Sequence, residues 1–440
     1  MWRGFFAQCR WVYLAYMHKN SAPLILRVWM FATWCLAMPM ALLSRYMHRR
    51  MGADPLRFGE RLGHGSNGEL SEILWFHAAS LGEIKQIGPL AAHLSQATDV
   101  KILVTTTTAT GADWVAQEMP YAIHRFAPID TPAAVRRFAE GWSLTAAIFV
   151  EGDLWPRMLE ALDRKKVPRI LLNARHSSTR KRLPRLFGEV LAPFSLITCR
   201  SQGVADDIID LGVDAQKVRV LPDLRLTLAR PSVAQETVSS LSELVGARPI
   251  WLAASTHLTD EDAVLSAHRA VLDSIPDAVC IIAPRHPVRG GGLQQLCWDR
   301  GFDIARRSLG EDITVTTQIY LADTLGELGA LYALVPLAFL GGSFGAEGGH
   351  TPYEPAWCDT AILYGPKVAN FAGAYAALAD TGAAICVETS EDLALALVRL
   401  MQSDDLDLMG HAGLAYMTQQ QTCIGTYAEM IQDALVPVEG

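Results

Sequence analysis

Residues 73–76 read Ile73-Leu74-Trp75-Phe76 and run straight into His77-Ala78-Ala79-Ser80-Leu81-Gly82-Glu83-Ile84-Lys85. The four apolar residues have the character of a short buried strand. The small residues and glycine that follow make a tight turn and open a helix. Strand, small-residue turn, helix start is where open α/β sheets place binding residues. Glu83 follows Ser80 by three, the spacing of a capping box. On spacing alone its carboxylate is a helix cap; a catalytic carboxylate is the second reading.

Downstream, apolar runs recur at residues 102–106, 122–126, 146–150, 170–173, 196–199 and 218–221, with helical segments from residues 108, 131 and 203. These runs are continuous rather than alternating, as parallel strands covered on both faces require. Residues 231–248 read as a connector plus helix. A second array follows, with strands expected at 249–253, 278–283, 313–315, 319–321, 334–340, 361–364 and 384–387, and helices filling the C-terminus. The fold class is therefore α/β, most simply two similar halves with a cleft between them. The expected domains are an N-terminal helical segment over residues 1–50, a first Rossmann-like domain over 51–230 and a second over 231–440, with the last helix returning to the first domain.

A chain of 440 residues is too long for one ordinary core, and half of its residues are hydrophobic. The net charge of −8, with no long Lys/Arg run to offset it, argues against nucleic acid as a partner. The eight cysteines are scattered without C-x-x-C or Cys/His ligand spacing, so neither a disulfide framework nor a metal site is expected. Residues 28–43 (VWMFATWCLAMPMALL) carry no charge, somewhat short of the roughly 20 apolar residues of a spanning helix. Arg45, Arg49, Arg50, Arg57 and Arg61 follow, which places the bulk of the chain on the cytoplasmic side of a membrane. Trp11, Tyr13, Trp29 and Trp34 suit an interfacial belt. A span and a surface-lying helix both fit, and a buried helical hairpin is the bland alternative.

Other clusters follow strand ends. Residues 341–355 (GGSFGAEGGHTPYEP) combine glycines, whose N–H groups can approach an anion, with Thr351-Pro352-Tyr353-Glu354. That tetrapeptide has the form of a helix start, with Thr351 as N-cap, Pro352 at N1 and Glu354 at N3. Glu354 is either that cap or a grip on ribose hydroxyls. Pro284-Arg285-His286-Pro287 suits phosphate contact. Residues 323–332 (DTLGELGALY) read as a helix capped by Asp323. Glu151-Gly152-Asp153 places two carboxylates before Leu154-Trp155-Pro156. Asn173-Ala174-Arg175 with Arg180-Lys181-Arg182 forms a basic patch.

Taken in order, these motifs resemble the 3-deoxy-D-manno-oct-2-ulosonic acid (Kdo) transferases of lipid A assembly. The resemblance runs from RFGERLG at Arg57 through HAASLGE at His77, LWP at Leu154 and LLNARHS at Leu171. It continues with AASTH at Ala253, APRHP at Ala283, DTLGEL at Asp323, GGSFGAEGGHTPYEP at Gly341 and YGPKVANF at Tyr364. It implies a GT-B glycosyltransferase that is inverting, uses CMP-Kdo as donor and a lipid A precursor as acceptor, and sits on the cytoplasmic face of the inner membrane. It also implies Glu83 as the base that deprotonates the acceptor hydroxyl. Asp153 and Arg225 would stabilise the transition state. Pro284, Arg285 and His286, Leu325, Gly326 and Glu327, and Thr351, Pro352, Tyr353 and Glu354 would hold CMP. No cofactor or metal is implied. The chain departs from the family at Glu151-Gly152-Asp153 (usually Glu-Thr-Glu), Pro222-Asp223-Leu224-Arg225 (usually Gly-Asn-Leu-Lys), Thr351 (usually Asn) and 258–260 (Leu-Thr-Asp for Pro-Gly-Glu). Two rivals stay open: a paralogue using another CMP-activated ulosonic acid or acceptor, and a CMP-binding membrane protein that has lost transfer.

Overall fold

The computed structural model describes residues 24–66, 72–152, 154–227, 231 and 233–435. The chain divides into two compact units, one taking residues up to 228 and again from 422, the other residues 229–421.

The first unit is built on a parallel sheet of seven strands: β1 (Ile73–His77), β2 (Lys101–Thr106), β3 (Ile123–Phe126), β4 (Leu144–Val150), β5 (Arg169–Ala174), β6 (Leu196–Cys199) and β7 (Val218–Val220). Their order is β3-β2-β1-β4-β5-β6-β7, so the winding reverses between β1 and β4. Alternate residues of β1 serve opposite cores. Leu74 and Phe76 pack with Ile84, Ile87 and Leu90 of the helix Leu81–Ala97, and with Tyr427 and Ile431 of the C-terminal helix Cys423–Leu435. Ile73 and Trp75 pack with Phe138 and Phe149 on the other face. Each such fully buried side chain contributes about 1.5–3 kcal/mol, which is why both faces of these strands are apolar.

The second unit repeats the plan with β8 (Ile250–Thr256), β9 (Val279–Pro284), β10 (Ile304–Arg306), β11 (Ile319–Leu321), β12 (Leu337–Leu340), β13 (Ala361–Tyr364) and β14 (Ala384–Cys386). The order β10-β11-β9-β8-β12-β13-β14 puts the reversal between β8 and β12 and inserts β11 between β9 and β10. The strand expected at 313–315 is a turn instead, closed by Thr314 and Thr317 and held by Arg248, whose guanidinium donates to the carbonyls of Thr314 (2.8 Å) and Thr317 (2.5 Å). One of the two edge strands is β10, where Ile304 and Ala305 are the only apolar residues.

The apolar stretch at 28–43 is not one helix. Helices Leu24–Cys35 and Ala37–Arg50 meet at a 76° bend, and no single described helix is long and apolar enough to cross a membrane. Pro39 supplies the reason: it lacks an N–H, and its ring clashes with the carbonyl four residues back, at Cys35, where the first helix ends. Met30 and Thr33 face inward, while Leu24, Val28, Phe31, Trp34, Met38, Leu42 and Leu43 are exposed. Trp29 is engaged within the unit: its indole donates to Asp130 at 2.7 Å, and its ring lies 5.9 Å from that of Trp155. Trp11 and Tyr13 lie outside the described residues.

Arg57 and Arg61 are engaged within the first unit. Arg57 pairs with Glu60 at 2.9 Å, and Glu60 accepts from Phe126 N at 2.7 Å. Arg61 is buried, stacks on Phe126 and donates to the Thr107 carbonyl at 2.6 Å. Gly63 completes the motif: its φ is +84° and a Cβ there would lie 2.0 Å from the Ala134 carbonyl oxygen.

Candidate active site

Open α/β sheets bind ligands outside the carboxyl ends of their strands, where the winding reverses. In the first unit that place is bounded by the turns after His77 and Val150. In the second it is bounded by those after Thr256 and Leu340.

In the first unit the turn after β1 is fixed on three sides. Ala78 N donates to the Thr105 carbonyl at 3.1 Å, the Thr107 hydroxyl donates to the Ala79 carbonyl at 2.5 Å, and Arg61 holds Thr107 from behind. Ser80 caps the helix Leu81–Ala97 by accepting from Glu83 N at 3.3 Å. The Glu83 carboxylate accepts from Ala79 N at 2.6 Å and remains half-buried. The cap and a partly buried carboxylate residue therefore coexist at the strand ends, with one carboxylate oxygen tied to the turn.

One turn along the same helix, buried Gln86 donates to Glu151 at 3.1 Å and accepts from Asn173 at 2.8 Å. Asn173 also donates to Asp223 at 3.0 Å, and its carbonyl oxygen accepts from Leu224 N at 3.3 Å. Asp223 holds the Arg225 guanidinium through Nη2 at 2.6 Å and Nε at 3.0 Å, with Arg200 at 3.5 Å. Burial opposes ionisation of Asp223, yet the bonds and charge of Arg225 keep its carboxyl below the usual range. Arg175 pairs with the other oxygen of Glu151 at 3.2 Å. Arg225 is thus a paired cation, and Asp153 lies outside the described residues. Glu151 and Asn173 both have positive φ, 57° and 58°, at the ends of β4 and β5. Such conformations persist only where surroundings enforce them.

In the second unit, buried Asp260 organises the strand ends. Its carboxylate accepts from His257 N at 2.8 Å, Gly342 N at 2.7 Å and Phe344 N at 3.2 Å. Part of the glycine-rich loop is therefore spent on its own carboxylate, not on a ligand. His350 and His257 stack with ring centroids 5.2 Å apart and share a 2.9 Å Nε2–Nε2 contact, with His286 edge-on to His257 at 5.8 Å. Burial, then the charges of His257 and Arg285, lower the pKa of His350 to about 4. Arg285 and His286 are exposed beyond β9, and Pro284 is the last residue of that strand. This is a compact set of nitrogen donors with exposed charge, suited to a phosphate.

Two expected helix starts shift. Asp323 is not an N-cap, because it is buried and binds Arg306 at 2.7 Å and the Ser308 hydroxyl at 2.8 Å; the helix begins later, as Leu328–Leu334. Leu325 is exposed and Gly326 has φ +86°. Glu327 is bound by Arg307 at 2.6 Å through Nε and by Thr324, and the bonds from Arg307 hold its carboxyl below the usual range. The helix after the glycine loop is Tyr353–Trp357, preceded by Pro352, with the Thr351 hydroxyl 3.5 Å from Tyr353 N. Tyr353 and Pro352 are buried, and Thr351 and Glu354 are half-buried. Sequence reasoning missed Gln86 and Asp260. A glutamine inside an amphipathic helix carries no signal, but Asp260 follows a strand-end histidine at capping-box distance and could have been found.

A family model described as 3-deoxy-D-manno-octulosonic-acid transferase (kdotransferase) matches residues 56–228. A probable mitochondrial 3-deoxy-D-manno-octulosonic acid transferase of Arabidopsis thaliana is 35% identical over 331 residues, covering 72% of this chain and 74% of that protein. The 3-deoxy-D-manno-octulosonic acid transferase of Haemophilus influenzae is 28% identical over 393 residues, covering 86% and 91%. Among solved structures, a glycosyltransferase from Rickettsia africae matches with TM-score 0.59 at 12% identity, over 83% of this chain and 99% of that one. That last likeness is one of fold.

Proposed function

From the premise that the chain belongs to the 3-deoxy-D-manno-octulosonic acid transferase family, we propose that it transfers Kdo from CMP-Kdo to a lipid A precursor in lipopolysaccharide synthesis. The first unit receives the acceptor and the second the CMP-sugar. Glu83 takes the proton of the acceptor hydroxyl as the hydroxyl oxygen attacks the anomeric carbon of Kdo. The bond from that carbon to the CMP phosphate breaks, and CMP leaves with the electron pair, inverting the centre. The observation that carries this reading is the Glu83 carboxylate, fixed by Ala79 N yet half-exposed beside the winding reversal. General-base catalysis needs a placed carboxylate that can still meet its substrate.

Arg225 and Asp153 are assigned to charge developing on the reacting groups. Arg285 and His286 are assigned to the phosphate of CMP. Pro284, the last residue of β9, is assigned to the same site. Leu325, Gly326 and Glu327, with Thr351, Pro352, Tyr353 and Glu354, form the nucleoside side. The exposed apolar flank of the two N-terminal helices rests on the cytoplasmic face of the inner membrane, near its lipid acceptor. The test is transfer by the full-length protein with CMP-Kdo and a tetra-acylated lipid A precursor, read by product mass. Glu83→Gln should lower turnover by about 10²–10⁴-fold. Turnover near wild type would remove Glu83 as the base, and no Kdo-bearing product from the wild type would refute the reaction.

A further inference from the structure

We propose that Gln86 is a positioning residue for this transfer. Its amide, clasped to that of Asn173, sets the Glu151-Gly152 turn and the Arg225 guanidinium in register with Glu83. The inference rests on the reading given above.

Gln86 sits three residues after Glu83 on the helix Leu81–Ala97, so both side chains leave the same face one turn apart. Its Nε2 reaches Glu151 at 3.1 Å, at the head of the turn leading to Asp153. Its Oε1 takes one Nδ2 hydrogen of Asn173 at 2.8 Å. The other goes to Asp223 at 3.0 Å, and Asp223 grips Arg225. A neutral amide has one donor group and one acceptor, so the two carboxylates fix which way each amide points. Gln86 must present its nitrogen to Glu151 and its oxygen to Asn173. No carboxylate or ammonium of similar size satisfies both ends.

Gln86 is 4% exposed and Asn173 is fully buried, so neither touches a substrate. They act through what they hold. The partners come from β4, β5 and the segment after β7, all at the carboxyl edge of one sheet. Glu151 and Asn173 both keep positive φ there, a conformation that the amide bonds help to enforce.

The experiment uses the full-length chain in detergent with CMP-Kdo and the lipid A precursor. Gln86→Met preserves length and removes both polar atoms. It should lower kcat by about 10–100-fold, with KM for both substrates within about threefold. In an Arg225→Ala background the same change should cost less than about threefold, because the guanidinium it aligns is absent. Equal losses in both backgrounds, or an unchanged kcat, overturn the proposal. Gln86→Glu covers the case in which the Met variant fails to fold. The introduced carboxyl can donate to Glu151 only while it holds a proton, and two adjacent carboxylates retain one. Its activity relative to wild type should therefore climb as pH falls, and a flat ratio overturns the proposal. A wild type that transfers nothing refutes the function along with it. A working wild type with additive variants refutes the positioning alone.

Discussion

Asp260→Ala should damage the second unit far more than loss of one surface carboxylate would. The side chain is fully buried, and its two oxygens accept three backbone N–H groups, from His257 (2.8 Å), Gly342 (2.7 Å) and Phe344 (3.2 Å). A hydrogen bond to a charged group contributes roughly 1.5–3 kcal/mol, and a buried donor left unmade costs about 1–3 kcal/mol. Three such bonds, partly replaced by water entering the space, put the loss at about 4–6 kcal/mol. For a unit of this size that is a fall of roughly 10–20 °C in its melting temperature. Asp260→Asn separates the terms. Its amide oxygen can still serve His257 N and Gly342 N, while its NH₂ faces the Phe344 N–H, so about 2 kcal/mol is lost. Thermal unfolding followed by circular dichroism reads both variants, and calorimetric titration with CMP reads the loop. CMP affinity should fall with both, more for Ala. An Ala variant melting within about 2 °C of wild type would refute the claim that this carboxylate holds the glycine loop to β8.

Acid should weaken the fold through histidines that it keeps neutral. His268 accepts from Trp251 Nε1 at 3.3 Å and faces the Gln318 carbonyl at 2.9 Å, and burial lowers its pKa from 6.5 to about 4. The unfolded chain therefore binds the extra proton first. Stability is complete above pH 6.5 and falls toward pH 4, by about 1.4 kcal/mol per pH unit for such a group. His124, lowered to about 3 chiefly by burial and Arg57, acts in the same direction, so melting temperatures between pH 8 and 5 should decline only below 6.5. Gly63→Ala should cost about 2–4 kcal/mol, since it adds a Cβ against the Ala134 carbonyl at a left-handed φ; urea unfolding with an unchanged midpoint would contradict this. Replacing exposed Trp34, Leu42 and Leu43 with serine should cut partition onto anionic vesicles at least ~100-fold in a flotation assay, because each buried apolar side chain is worth about 1.5–3 kcal/mol. Undiminished flotation would detach this flank from the membrane.

Much of the fold was legible because parallel strands buried on both faces must be apolar at every position. That demand writes ILWF, AAIFV and ILLN into the chain as uninterrupted runs. It fails where a strand is short and at an edge. Ile304-Ala305-Arg306 is a strand, although it is only three residues long and ends in an arginine, while Ile313, Val315 and their neighbours form a turn because threonine hydroxyls and Arg248 satisfy that backbone instead. Capping signals were equally double-edged. Ser80 caps as its spacing says, but Asp323 serves Arg306 and Ser308. A side chain within reach of an ion pair prefers it to a helix terminus, and that reach is invisible along the chain.

The sequence by itself determined the long buried strands along the chain, their parallel burial and the cluster of polar residues just beyond them, because each follows from local composition and period. It also set the form of the Ser80–Glu83 cap, which needs only four consecutive residues. Only the tertiary structure decided the rest. It brought Gln86 to Glu151 and Asn173, 65 and 87 residues away, and so made a helix-face glutamine the junction of the candidate site. It also tied the Glu83 carboxylate to Ala79 N while leaving the residue only partly buried. Those outcomes depend on which chain ends meet at the sheet's carboxyl edge, and strand order, set by packing across the whole unit, fixes that meeting.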